Sequence, residues 1–456
     1  MLNWLRGRPT SPQSVSQATQ PVDPVTQGAS FQVPSPMHND RSDVEPPPDE
    51  GKVQITDGEA DELLSESQTS LVMALIKSGQ LSVGMDLTKV TLPTFILEPR
   101  SLTEKLSDFW MHPDIFLDMC SKEPIASWFS PELSRMMRVV KWYLSGFHVR
   151  PKGVKKPYNP ILGEEYECVI ASASHPDSKV MYCSEQVSHH PPITAFCARG
   201  PGVIMHGMYY PRSKYLGNSA ASIGEGSSVI CFDDGEVYHC LWPTIYVRGI
   251  LFGKLLMEIG GKVQIVCPST GYRTDIDFNV KGFFSGEYNS IKGGIFHQTK
   301  GYKNPEVVLT GKWSEVVSFK STAAGPSTPM QVLFDIRTTP LGIRTSSNTV
   351  DIPPDRYAPL VWQKVTEALK VNDVEGATSE KKIIETAQRD RARDQQAEGL
   401  AHQLHLFTDL HPEAGGQRRY DTLQWAYTGE GVNLHPYISN LLDEMKQKYK
   451  KERENK

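Results

Sequence analysis

A chain of 456 residues is long enough for one large domain or two ordinary ones. With 48 Lys and Arg against 53 Asp and Glu, its formal net charge is −5, and that acidic balance argues against a nucleic-acid binder, which is normally basic. Seven cysteines, an odd number without close pairs, fit a reducing compartment better than a disulfide framework.

In chain order, residues 1–60 are rich in Pro, Ser, Gln and Asp and poor in large apolar side chains. Such a stretch cannot bury enough surface to offset its ordering entropy, so disorder is expected. Met1 to Arg6 lacks the apolar core of a signal peptide. From Asp61 to Ser78 the apolar spacing predicts a helix, with Gly79 as its stop. Its run from Leu71 to Ile76 is far shorter than the roughly 20 residues that span a bilayer. Asp86 to Glu98 is too β-branched and proline-broken for a helix. Two amphipathic helices follow. The second takes Ser130 as its N-cap and Pro131 as its first residue, turns Leu133, Met136, Met137, Val140 and Leu144 to one face, and ends near Gly146. In Lys155 to Glu164 two prolines bracket a polar turn, so Lys156 and Asn159 are expected to project from a rigid loop.

From about 164 to 340 short alternating runs predict an antiparallel barrel or sandwich. Gly260-Gly261 reads as the turn of a hairpin, and Gly235 and Gly271 as further turns. Gly224-Glu225-Gly226 has no third glycine in register, so a phosphate loop fails there. Within this region stands Glu185-Gln186-Val187-Ser188-His189-His190-Pro191-Pro192. The prolines must end, bulge or edge the strand, which holds His189 and His190 on a stiff, irregular backbone. Zinc is disfavoured here, because no His-Glu-x-x-His, Cys-x-x-Cys or nearby third ligand is present. A Ser188, His189, Glu185 triad is also poor, since near neighbours in one strand do not line up as nucleophile, base and orienter. Two readings stay open: structural histidines, or an anion site in which both imidazoles donate to phosphate oxygens.

After Pro359 helices return, first with Leu360, Val361, Trp362, Val365 and Leu369 as one stripe, then from about Thr378 to Arg393. Lys381, Glu385 and Arg389 sit four apart on the second, a spacing that usually makes a solvated, salt-bridged face. The tail from Lys446 to Arg453 is a basic amphipathic run suited to an acidic membrane.

The octapeptide, the decapeptide from Lys155 to Glu164, and Lys381-x-x-x-Glu385-x-x-x-Arg389 stand in one order and spacing. Together they resemble the oxysterol-binding-protein-related lipid-transfer family over roughly residues 63–410. The resemblance implies an α+β fold, a large nearly closed antiparallel β-barrel enclosing a lipid tunnel, with flanking helices and an N-terminal lid of about 63–92. It implies a lipid-binding domain of 61–410 between residues 1–60 and a tail of 411–456, a short form without a pleckstrin-homology domain. It also implies a carrier rather than an enzyme, with no cofactor and no metal. By the same resemblance Lys156, Asn159, His189, His190, Lys381, Glu385 and Arg389 hold the headgroup of phosphatidylinositol 4-phosphate. Asp86 to Glu98 and Lys214 to Ala220 look most like the phosphatidylserine-transferring branch. That branch puts Leu87, Val90, Leu92 and Phe95 along the tunnel and Ser219, with Asn218, near a second headgroup. A sterol binder or sensor with the same phosphoinositide site is the alternative. The partners implied are these lipids and transient membrane surfaces, without nucleic acid. The place implied is cytoplasmic and peripheral on membranes, at the endoplasmic reticulum and its contact sites.

Overall fold

The computed structural model describes residues 77, 82–87, 96–150, 153–251, 255–282, 286–323, 327–346, 352–411, 423–428 and 435–454. All belong to the unit Pro36–Lys456. The expectations for residues 1–60, for most of the lid, and for Val90, Leu92 and Phe95 fall outside them.

A short parallel pair comes first, β1 (Leu97–Ser101) with β2 (Lys156–Tyr158). Between them in the chain run α1 (Leu102–Lys105), α2 (Pro113–Asp118) and α3 (Pro131–Ser145). The α3 helix forms as its sequence predicts. The Ser130 side chain accepts the Leu133 N–H at 3.1 Å, Pro131 opens the first turn, and Gly146 closes the last. Nearly every residue of α3 is buried, Trp142, Tyr143 and Leu144 completely, so the helix sits inside the main core rather than on its surface.

The next strands are β3 (Glu165–Ala171), β4 (Lys179–His189), β5 (Pro192–Gly200), β6 (Val203–Tyr215) and β7 (Ser219–Glu225). They are followed by β8 (Ser227–Phe232), β9 (Val237–Leu241), β10 (Thr244–Arg248), β11 (Leu256–Cys267) and β12 (Tyr272–Asn279). The last of the sheet are β13 (Ser290–His297), β14 (Val307–Lys312), β15 (Val316–Ser321), β16 (Gln331–Asp335) and β17 (Ile343–Ser346). All fifteen join one antiparallel sheet, from β16 in descending order to β10, then β7 to β3, and finally β17. The strands β8 and β9 bridge β6 to β11 by a second route, so six strands close a ring. This is the large, nearly closed barrel with flanking helices that the sequence implies. Along β12 burial alternates strictly, with Tyr272, Thr274, Ile276 and Phe278 turned inward.

Gly260-Gly261 is not a hairpin turn. The strand β11 runs straight through both glycines and changes partner there: Leu256–Gly260 pair with β10, and Gly261–Cys267 with β12. Gly261 has φ +95°, and a Cβ on Gly260 would lie 2.6 Å from Val280 and 2.8 Å from Tyr246. The pair lets a strand bend and accept close neighbours, a use of glycine that a sequence cannot tell from a turn. Gly235 and Gly271 do lie in turns.

Past the sheet come α4 (Ala358–Val361), α5 (Gln363–Lys370) and α6 (Val374–Glu398). Of the expected stripe, Trp362 and Val365 are buried, but Leu360 is 44% exposed, because Trp362 breaks the helix into two and shifts the phase. The α6 helix is longer than predicted, capped by Asp373 on the Gly376 N–H (2.8 Å) and ended by Gly399 at φ +66°. Downstream, β18 (Phe407–Asp409) pairs with β19 (Trp425–Tyr427), and α7 (Pro436–Glu454) follows. Ile438 and Leu442 of α7 pack with Val229, Cys231, Leu410 and Leu423. Packing thus continues past residue 410, and the start of the basic helix turns its apolar face to the protein.

Candidate functional site

The rim begins with a buried carboxylate. Glu164, fully buried, accepts from the hydroxyls of Ser101 and Thr103 (2.7 Å to the latter), the Ile161 N–H (3.2 Å) and the Trp362 indole N–H (2.7 Å). Burial raises its pKa, and these donors oppose the rise. Tyr158 stacks on Trp362 at 4.7 Å, and the Leu162 N–H donates to buried Gln388 of α6 at 3.0 Å. Lys156, expected in a loop, lies on β2, and the segment from it through Asn159 is thereby fastened to β1, α5 and α6. Neither Glu164 nor Gln388 was singled out from sequence. The signal for Gln388 existed, since it lies seven residues past Lys381 and so shares its helix face.

The octapeptide forms the hairpin between β4 and β5. Register slips at Val187 in a bulge, His189 pairs with Pro192, and His190-Pro191, joined by a cis peptide bond, make the turn. Most of the motif holds the rim together. The Gln186 N–H donates to Glu164 O (2.8 Å), the Gly163 N–H donates to Gln186 O (2.9 Å), and Glu185 accepts the His405 and Leu406 N–H groups. His189 Nδ1 lies 3.0 Å from the Pro160 carbonyl; since a carbonyl only accepts, Nδ1 carries the proton. His190 is exposed, its ring 4.7 Å from that of His189.

The charges converge here. Lys156 is reached by water yet crowded by protein atoms, the condition of a side chain in a hollow. Burial lowers its pKa, and the nearby Lys381 lowers it further, while Glu385 and Asp86 pull it back up. Lys381 pairs with Glu385 one turn along α6. Burial and then His190 push His189 down, against Pro160 and Glu385. This favours a neutral His189, with Nε2 left as an acceptor. Lys156, His189, His190, Lys381 and Glu385 thus form one electrostatic group. Asn159 is exposed in the adjoining turn, and Arg389 is exposed a turn further on, where it bonds Thr386 at 3.0 Å. Among the described residues, no contact joins either of them to the group.

Beside the rim, Ser82–Leu87 lies along the end of β6. The Gly84 N–H donates to Tyr215 O, and the Tyr215 N–H to Met85 O. Leu87 is buried with Tyr215, next to Ala220, Ile250 and Leu251. Ser219 is buried too, and Asn218 Oδ1 is committed to the Leu251 N–H at 2.8 Å. The amide oxygen of Asn218 therefore shapes the loop.

This constellation crowds two lysines from separate elements, β2 and α6, with histidines beside them, an arrangement suited to an anionic ligand. The oxysterol-binding protein family model matches residues 74–367. The oxysterol-binding protein homolog C23B6.01c of Schizosaccharomyces pombe is 37% identical over 372 residues, spanning 78% of this chain and 74% of its own. Oxysterol-binding protein-related protein 8 of Homo sapiens is 39% identical over 363 residues, again 78% of this chain but only 39% of the human one. Among solved structures, the Osh1 ORD domain in complex with cholesterol aligns with a TM-score of 0.61 at 25% identity, covering 83% of this chain and 89% of that domain. The chain belongs to the oxysterol-binding protein family.

Proposed function

We propose that this protein is a lipid-transfer carrier that extracts phosphatidylinositol 4-phosphate at the rim and exchanges it for phosphatidylserine between membranes. The observation that carries the reading is the crowding of Lys156 by Lys381, two ammonium groups held on independent scaffolds, β2 and α6. A multiply charged phosphate relieves that repulsion through charge-assisted hydrogen bonds. Asn159, His190 and Arg389, exposed at the same rim, complete the headgroup contacts in this reading. The acyl chains require a dry compartment, because each exposed methylene costs about 0.8 kcal/mol in water. A barrel of more than about eight strands is wide enough to provide one. Residues 61–410 then act as the lipid-binding domain, with about 63–92 as its lid and Leu87, Val90, Leu92 and Phe95 along the chains.

No bond is made or broken in this cycle. Among the described residues no helix is long and apolar enough to cross a membrane. In this reading the protein visits membrane surfaces from the cytoplasm. The second reading is a sterol as counter-lipid, favoured by the likeness to a domain solved with cholesterol. A sterol needs few polar partners, whereas phosphatidylserine needs a place for carboxylate and ammonium, for which buried Ser219 is the nearest candidate. Mass spectrometry of lipids co-purifying with the protein tests both. Phosphatidylinositol phosphate with phosphatidylserine is expected. Sterol in place of phosphatidylserine overturns the counter-lipid alone, and neither phospholipid overturns the proposal.

A further inference from the structure

A second cluster of ligating side chains lies behind the rim, where the stretch after α6 returns to the sheet. Glu165 on β3 and Glu185 on β4 are direct cross-strand partners, so two buried carboxylates face each other on one side of the sheet. Like charges so placed are destabilising unless something cationic meets them. Arg356 answers in part, its Nε 3.4 Å from Glu165 Oε1. Opposite stand two histidines. His405 Nδ1 is 3.2 Å from Glu165 Oε1 and 3.5 Å from Glu185 Oε1, and the His402 ring is 5.9 Å from that of His405. One ligand atom from each of Glu185, His402 and His405 lies within 4.8 Å of the others. Two buried atoms of this cluster have no hydrogen-bond partner, Glu165 Oε1 and His402 Nε2. His402 Nε2 is a buried imidazole nitrogen without a partner, while Glu165 Oε1, close to Arg356 and His405, makes no well-formed hydrogen bond; a cation beside them would satisfy the nitrogen.

We propose that Glu185, His402 and His405 bind a first-row divalent metal ion of the kind that imidazole prefers, for which Zn²⁺ is the probe. Two neutral imidazoles and one carboxylate form the three-protein-ligand set that such ions accept, with a fourth position for water. Glu185 is pre-oriented by the N–H groups of His405 and Leu406. Glu165, 3.2 Å from His405 Nδ1, is placed to orient the ring once the ion holds it. His405 is the exposed member, so the ion has a way in. The octapeptide contributes its glutamate to this cluster rather than its histidines, and the partners of Glu185 come from more than 200 residues further along the chain.

Occupancy would rivet residues 402–406 to β4 directly behind the headgroup loop. The His402 ring already lies 2.7 Å from where a Cβ would stand on Gly163. The rival account is a protonated His405 that pairs with the two carboxylates and needs no metal.

The test uses the full chain, stripped with a chelator and dialysed into metal-free buffer. Zinc affinity is read by competition with a chromogenic chelator, and stability by melting with and without one equivalent of Zn²⁺. One ion per chain and a raised melting temperature are expected. Changing a ligand should cost at least the roughly 10–100-fold typical of lost supporting residues around a metal. His405→Gln is exposed and keeps the fold, and Glu185→Gln keeps an oxygen for the two backbone donors, so either variant can report alone. Zinc bound equally by both variants, or no stabilisation of the unaltered chain, overturns the proposal. Stabilisation only by acidification, without a zinc effect, favours the rival.

Discussion

Replacing Lys156 by Met separates a ligand-binding cation from a structural one by the sign of its two effects. Lys156 is desolvated and repelled by Lys381, with Glu385 and Asp86 offsetting part of this, and among the described residues its ammonium makes no ion pair. Met has nearly the same shape without the charge, so folding loses nothing electrostatic. Because water reaches the side chain, the repulsion relieved is screened, and the unfolding free energy should stay level or rise by at most about 1 kcal/mol. Binding should move the other way. A hydrogen bond to a charged group contributes about 1.5–3 kcal/mol, so affinity for phosphatidylinositol 4-phosphate should fall about 10- to 150-fold. Extraction from liposomes, read by sedimentation, gives the affinity, and urea denaturation gives the stability. A variant that binds as before, or one that loses stability and binding in parallel, refutes the assignment of Lys156 to the headgroup.

Three further outcomes follow from the same geometry. Because burial and His190 hold His189 below its usual range, phosphate at Nε2 requires the ring to take up a proton. Headgroup binding should therefore tighten as pH falls from about 7.5 to 6, and His189→Gln should flatten that slope beyond the titration of the phosphate itself. Glu164→Ala strands four donors in the interior and should cost about 3–5 kcal/mol in chemical denaturation. Glu164→Gln, which keeps an oxygen for Ile161 and Trp362 while Ser101 and Thr103 rotate to accept, should cost only about 1 kcal/mol. For Asp108, burial alone would raise the pKa, but the hydrogen bond from Arg100 and the charge of Lys105 outweigh it and hold the group at about 2. A depressed carboxylate stabilises the fold above its unfolded value and loses that contribution as pH falls through its folded one. About 2.5 kcal/mol should disappear between roughly pH 4 and 2, and Asp108→Asn should remove that step from the acid-denaturation curve.

The parts of this molecule legible in its sequence are those set by local rules. Ser130-Pro131 announces α3 because a cap and a fixed φ act within one turn. Pro191-Pro192 announces the end of β4 because proline cannot join a ladder. The lysine, glutamate and arginine spacing announces one face of α6, and the Lys381–Glu385 pair forms on it. What the sequence hid is set by distant partners. Gly260-Gly261 has the look of a turn, yet a strand passes through it because β10 and β12 claim its two halves. Glu164 reads as one more acidic residue until Ser101, Thr103 and Trp362 close around it. Asp86 was legible only as the start of a β-branched run, and its electrostatic reach to Lys156 depends on the bridge it forms with Lys214. Leu360 fits the apolar stripe by spacing, but the break at Trp362 turns it to solvent.

The central claim is exchange, and transfer between two liposome populations tests it most directly. Donor vesicles carry fluorescent phosphatidylserine, and acceptors either contain or lack phosphatidylinositol 4-phosphate. If the two lipids compete for one barrel through the Lys156–Lys381 rim, phosphatidylserine transfer should accelerate when the acceptor holds the phosphoinositide. The Lys156→Met variant should lose that acceleration. Phosphatidylserine transfer indifferent to the phosphoinositide, or absent while sterol moves readily, contradicts the account.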